Sequence, residues 1–194
     1  MELIFATNNL FKVQEIRSIL GNEMLVLPLK EAGIDIDIPE PFDTLEENAR
    51  TKAQTIHAMT GKDCFSEDTG LEVEALNGEP GVKSARYAGD GRSFEDNITK
   101  LLQNLAPHPN RKARFRTVIS LILAGQLYEF EGVCPGQILN SPQGSGGFGY
   151  DPVFVPDGDT RSFAEMTLEE KNRYSHRKIA TAKLVAFLQT KMKS

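Results

Sequence analysis

Four short stretches of the sequence combine residue types that can do chemistry together. Thr7-Asn8-Asn9, with Lys12 three residues on, stands where the apolar run Leu3-Ile4-Phe5-Ala6 gives way to a helical pattern. Free N–H groups and the helix dipole at such a junction favour phosphate, and Lys12 in the first turn adds a full charge. The stretch lacks the paired glycines and the Gly-Lys-Ser/Thr ending of a Walker loop, and on local features a plain turn and N-cap accounts for it more simply. Glu67-Asp68-Thr69-Gly70 follows Cys64-Phe65-Ser66, read as a short strand, so the acid pair is expected in a polar turn beyond that strand's carboxyl end. Open α/β sheets bind ligands there, and two carboxylates suit a hard cation such as Mg²⁺ that takes oxygen ligands and bridges to phosphates. The alternative is a turn whose charges face water. Glu40, between Pro39 and Pro41, is a further carboxylate on a stiff loop.

The third stretch, Gly144-Ser145-Gly146-Gly147-Phe148-Gly149-Tyr150-Asp151-Pro152, is not a dinucleotide fingerprint. No N-terminal strand-turn-helix surrounds it, and Pro152 precedes a strand. Its glycines suggest backbone that lets a flat ligand lie against an aromatic ring; a long flexible hairpin loop is the plainer reading. Lys171, His176 and Arg177 form the fourth group, at the junction of two helical segments. By themselves they read as surface decoration.

The elements that must position these residues have an α/β order. Leu3 to Ala6 reads as a buried strand, and the following helix carries Leu10, Val13, Ile16 and Ile19-Leu20 on one stripe and stops at Gly21. Met24 to Leu27 and Ile34 to Ile38 read as extended. Thr44-x-x-Glu47 is a capping box, opening a helix that buries Leu45, Ala49, Ala53 and Ile56 and stops at Gly61. Asn77 to Gly91 is a Gly- and Pro-rich loop, and Ser93 caps a helix through Leu105. Ala113 to Leu123, the Gly125-Gln126 turn and Leu127 to Val133 form a β-hairpin, so the sheet is expected to be mixed. Val153-Phe154-Val155 is a strand. Thr167-x-x-Glu170 and Ser175 open helical segments, the last running to Lys193.

A chain of 194 residues fits one embellished α/β domain spanning 1–194, given a typical domain of roughly 150. Lys and Arg total 22 against 27 for Asp and Glu, a net charge of −5, which argues against a nucleic-acid binder. The two cysteines, Cys64 and Cys134, form no disulfide framework and no zinc-ligand spacing. The N-terminal residues do not read as a signal peptide, and the longest apolar run, Val118 to Ala124, is too short to cross a bilayer. A soluble, cytoplasmic protein without membrane contact is expected.

In chain order the motifs TNNxxK, SEDTG, GVKSARYAG, GGFGYDP and EEKNRYSHR resemble the inosine triphosphate pyrophosphatase family, the dITP/XTP pyrophosphatases. The resemblance runs from Phe5 to about Leu188 without a large insertion. It implies an elongated α/β fold with a long mixed sheet, two lobes and a central cleft, usually as a homodimer. The implied reaction is hydrolysis of ITP, dITP and XTP to the monophosphate and pyrophosphate with Mg²⁺, which clears deaminated purines from the nucleotide pool. By the same resemblance, Thr7, Asn8, Asn9 and Lys12 hold the phosphates, and Glu40 and Asp68 serve Mg²⁺. Asp68 is also the proton acceptor for the attacking water, and Thr69 touches the substrate. Phe148, Gly149, Tyr150 and Asp151, with Lys171, His176 and Arg177, enclose the base and sugar. Because an arginine has only donors to offer, Arg177 is expected to pair with the base O6. Asn8 stands where many members have glycine; asparagine accepts left-handed backbone better than most residues, so the turn is expected to survive. Thr69 replaces a common serine but keeps the hydroxyl. Rival readings are a septum-formation-type pyrophosphatase, against which the His176-Arg177 pair and the GGFGYD loop speak, and a nucleotide-sensing module, which needs no Asp68. A dinucleotide-dependent oxidoreductase is excluded by the context of the glycine-rich loop.

Overall fold

The computed structural model describes residues 2–21 and 24–192. Seven strands form one sheet in the order β2-β1-β3-β5-β6-β7, with β4 paired to β3. In chain order the strands are β1 (Glu2–Phe5), β2 (Leu25–Pro28), β3 (Cys64–Val73), β4 (Pro80–Gly81), β5 (Lys112–Leu123), β6 (Gln126–Ile138) and β7 (Phe154–Pro156). The sheet is mixed: β1 runs parallel to β2 and β3, while β4 and β7 pair antiparallel with β3 and β6. The helices are α1 (Leu10–Leu20), α2 (Leu45–Thr60), α3 (Phe94–Leu105), the single turn α4 (Leu168–Lys171) and α5 (His176–Met192). Lys193, the expected end of the last helix, lies outside the described residues.

The chain divides into two compact units, Met1–Asp68 with Thr117–Gly132 and Arg177–Ser194, and Thr69–Arg116 with Val133–His176. In the first unit the period-2 alternation of strands sorts the core into two layers. Leu3, Phe5 and Phe65 face one way and pack with Val13 and Ile16 of α1 and Ala180, Leu184 and Leu188 of α5. Ile4, Ala6 and Cys64 face the other way, onto Ala53 and Ile56 of α2. Phe5 and Phe65, partners in the parallel register, stack with ring centroids 4.5 Å apart. In the second unit Ile98, Leu101 and Leu105 of α3 pack with Leu71, Phe115, Phe154 and Phe163.

The helix starts follow the capping residues of the sequence. Asn9 accepts from the Phe11 and Lys12 amides, Thr44 from Glu47, Ser93 from Asp96, and Thr167 from Glu170 in a reciprocal capping box. Gly61 ends α2 in left-handed backbone at φ 66°.

Four expectations are corrected. Leu10 is 65 % exposed: it is in phase with Val13, Ile16 and Leu20, but the core ends before the first turn of α1. Ile34 to Ile38 joins no ladder, although Ile34, Ile36 and Ile38 pack against the α2 layer. The hairpin turn is Ala124-Gly125, both at positive φ, and β6 runs on to Ile138 because β7 pairs with its far end. Most consequential for function, Glu67-Asp68-Thr69-Gly70 is no turn but the middle of the ten-residue β3. β1 accompanies β3 only as far as Phe65, and the strand continues beside β5 and β4, long-range partners that a turn-like composition conceals.

Candidate active site

Successive side chains of a strand point to opposite faces, so Glu67 follows Phe65 toward α1 and α5 while Asp68 follows Cys64 and Ser66 toward α2. The partners agree. Ser66 Oγ donates to the Ala49 carbonyl of α2. Glu67 lies 2.9 Å from Lys12 Nζ and takes a bidentate pair from Arg177, Nε at 2.7 Å and Nη2 at 2.9 Å. Arg177 Nη1 reaches Glu15 of α1, so buried Glu67, Arg177 and Glu15 form a chain that ends at the half-buried Lys12. Burial by itself would raise the Glu67 carboxyl; Arg177 and Lys12 outweigh it and hold that carboxyl well below the usual range.

On the other face Lys52 of α2 gathers the second acid set. Its ammonium bonds Glu40, donates to the Glu67 carbonyl at 2.8 Å and lies 3.6 Å from Asp68 Oδ1. Burial pushes the Asp68 carboxyl upward, against the pull of Lys52 and Lys12. It therefore holds a proton more readily than an exposed aspartate. Burial would lower Lys52, but Asp68 and Glu40 outweigh that and keep it charged. Adjacent in sequence, Glu67 and Asp68 thus serve different clusters. The acid pair that converges on one cation is Glu40 with Asp68.

The Thr7–Lys12 stretch forms the expected strand-to-helix turn. Thr7 Oγ1 accepts from the Asn9 amide at 3.1 Å. Asn8 is not among the described residues with positive φ, so its left-handed tolerance is not used; its side chain donates instead to the Ile36 carbonyl at 3.0 Å.

The second unit holds the other candidate residues. Asp151 Oδ2 accepts from Lys171 Nζ at 2.6 Å and from the Phe148 amide at 3.0 Å. Lys171 Nζ sits 5.3 Å from the Phe148 ring centroid. Phe148 and Gly149 line a cavity of about 650 Å³ together with Phe94, Ile98 and Leu102 of α3. His176 is buried and stacks on Phe115 at 4.6 Å. Thr69 is partly buried in β3. The glycines do less for a ligand than their number suggests. A Cβ on Gly144 would lie 2.6 Å from the Ala164 backbone, and one on Gly147 would lie 2.0 Å from Asp151 Oδ2. Those two let the chain pack on itself. Gly149, at φ 61°, faces open space. Two of the candidate residues are engaged by the protein's own groups. Arg177 is 1 % exposed, with Nε and both terminal nitrogens engaged by carboxylates, and Tyr150 is 4 % exposed, with its hydroxyl on the Ser84 carbonyl.

Sequence reading missed Lys52, Asn48 (whose side chain hydrogen-bonds the Asp68 carboxyl) and Glu15. The first two had a signal: Leu45, Asn48, Ala49, Lys52, Ala53 and Ile56 repeat at helical spacing, so both polar residues fall on the buried stripe of α2. Glu15 lies beside Ile16, three residues after Lys12, and only the return of α5 explains it.

Among the described residues no three His, Cys, Asp or Glu side chains gather to cage a metal. Glu40 and Asp68, gathered around one ammonium, are the carboxylates here that could contribute oxygen ligands to a hard cation.

The sequence pattern of the Ham1 family matches residues 3–187. The dITP/XTP pyrophosphatase of Porphyromonas gingivalis is 54 % identical over 189 residues, covering 96 % of this chain and 97 % of that protein. That of Flavobacterium johnsoniae is 47 % identical, covering 97 % and 98 %. The solved structure of the Staphylococcus aureus Ham1 protein superimposes with a TM-score of 0.89 at 38 % identity, covering 98 % of this chain and all of that one.

Proposed function

The chain belongs to the Ham1 family, and on that premise we infer that it hydrolyses non-standard purine nucleoside triphosphates, ITP, dITP and XTP, to the monophosphate and pyrophosphate. The observation that carries the mechanism is the division of β3 into two faces. Glu67 holds Lys12 at the α1 N-terminus, beside the Thr7-Asn8-Asn9 turn, where backbone amides and the ammonium suit the triphosphate. Asp68, its carboxyl raised by burial, accepts the proton of the attacking water. Glu40 and Asp68 would hold Mg²⁺, which neutralises phosphate charge when bound. Phosphoryl chemistry of this kind needs positioning and charge more than a covalent nucleophile, which matches a site without a Ser/His/Asp or Cys/His set.

We assign the base to Phe148, Gly149, Asp151, Lys171 and His176. Phe148 offers a stacking face, and Lys171 offers only donors, which suits the O6 acceptor of hypoxanthine and xanthine. Thr69 and Arg177 complete the set by resemblance. We further propose a homodimer and a cytoplasmic location; no described helix is long and apolar enough to cross a membrane.

The test is a nucleotide panel incubated with Mg²⁺, with the released anion identified. ITP and XTP yielding pyrophosphate is the expected result, and orthophosphate as first product overturns it. Excess EDTA abolishes activity if the metal role holds. Light scattering at working concentration reads the oligomeric state, and a monomeric mass overturns the dimer.

A further inference from the structure

The phenol of Tyr150 is buried, and its hydroxyl donates to the Ser84 carbonyl at 2.8 Å. That carbonyl belongs to the GVKSARYAG stretch, which the proposed chemistry leaves unused. The stretch is held from several sides within the second unit. Ser84 Oγ accepts from the Leu71 amide of β3 at 2.9 Å and donates to the Gly81 carbonyl at 2.6 Å. Asn97 of α3 donates to the Ser84 and Ala85 carbonyls and accepts from the Ala88 amide at 2.7 Å. Lys100 donates to the Tyr87 carbonyl at 2.6 Å. Side chains from α3 and an amide from β3 thus brace a few residues of loop.

What Tyr150 attaches to this brace is the tip that presents the base-binding groups. Phe148 and Gly149 immediately precede it and Asp151 follows it. Within the tip the Asp151 amide donates to the Phe148 carbonyl at 3.2 Å and the Val153 amide to the Tyr150 carbonyl at 3.0 Å, while Asp151 Oδ2 accepts from Lys171 Nζ at 2.6 Å. The short-range bonds define the turn's shape; its place is set by longer-range ties, among them Lys171 on Asp151 and the Gly146 amide on the Ala164 carbonyl at 3.0 Å. Gly144, Gly147 and Gly149, all at positive φ, leave that backbone more freedom than most sequences have. The Tyr150 hydroxyl adds a tie to the braced loop, 66 residues away in sequence.

We propose that Tyr150 is a positioning residue for base binding: through the Ser84 carbonyl it holds Phe148, Gly149 and Asp151 in the geometry that receives a purine, without touching the purine itself. The proposal rests on the function inferred above and gives the GVKSARYAG stretch the role of a foundation. Removing the hydroxyl keeps the ring in the core but loosens the tip on the side of the braced loop, so part of its ordering cost moves to the binding step. Substrate affinity falls, while the phosphate-side chemistry of Asp68 and Lys12 keeps its rate once substrate is bound.

The experiment compares wild type, Tyr150→Phe and Ser84→Ala with ITP. Tyr150→Phe should raise KM by about five- to tenfold, the range of one hydrogen bond, with kcat within twofold. Ser84→Ala, which loosens the same carbonyl from the other side, should show the same split. Hydrogen exchange should quicken at residues 146–151 in both variants and stay unchanged in α5. An unchanged KM in Tyr150→Phe, or a fall in kcat with KM unmoved, overturns the positioning role. Failure of the wild type to release pyrophosphate from ITP overturns the functional reading instead, so the two failures are told apart.

Discussion

Glu67 and Asp68 are neighbours in the chain yet answer to opposite faces of the sheet, Glu67 to Lys12 and Arg177 and Asp68 to Lys52. Their conservative variants should therefore fail differently. Asp68→Asn keeps its fold by circular dichroism and loses roughly 100- to 10,000-fold in kcat, the range for a lost general base. Glu67→Gln breaks a buried ion pair, which costs about 3–5 kcal/mol, and lowers the melting temperature by about 10 °C or more. Similar melting temperatures for the two variants would refute this division.

Lys52 neutralises Glu40 and Asp68 together, so Lys52→Met leaves two carboxylates facing each other. Groups that support a metal site from behind its ligands are worth about 10–100-fold in affinity or activity. Isothermal titration with Mg²⁺ alone should show affinity altered by such a factor, together with a fall in kcat. Unaltered Mg²⁺ affinity would separate Lys52 from the metal role.

Arg177→Ala leaves Glu67 and Glu15 without their shared guanidinium and should melt earlier in the absence of nucleotide. A base-reading role adds a selective loss: kcat/KM for ITP falls by about 1.5–3 kcal/mol more than that for ATP. Equal losses for ITP and ATP would confine Arg177 to holding Glu67 and, through it, Lys12.

Both thiols are buried, and burial pushes Cys64 and Cys134 up to about 12. A pKa raised that far leaves almost no thiolate at pH 8, the reactive form. Ellman's reagent at pH 8 should find no rapidly reacting thiol in the native protein and two after denaturation. Activity should be insensitive to thiol-blocking agents over minutes, and rapid native labelling would contradict the burial.

Much of the molecule was legible in the residues themselves. Caps at Asn9, Thr44, Ser93 and Thr167 mark helix starts because a short polar side chain satisfies amides within its own turn. The stripe from Leu45 to Ile56 shows its buried face because the helical period is a local property. The five ordered motifs carry the family. What the sequence could not hold is any pairing between distant segments. Glu67-Asp68-Thr69-Gly70 has a turn's composition and becomes strand only because β5 and β4 lie beside it. The strand's alternation then sends adjacent carboxylates to different helices, a separation no spacing rule reveals. Arg177 reads as a surface cation until α5 returns across α1 and buries it between Glu15 and Glu67, 162 and 110 residues away. The bond from the Tyr150 hydroxyl to the Ser84 carbonyl, 66 residues away, is likewise written in no local pattern. Local hydrogen bonds and periodicity are written in neighbouring residues, whereas the partner of a buried charge is chosen by the packing of the whole chain.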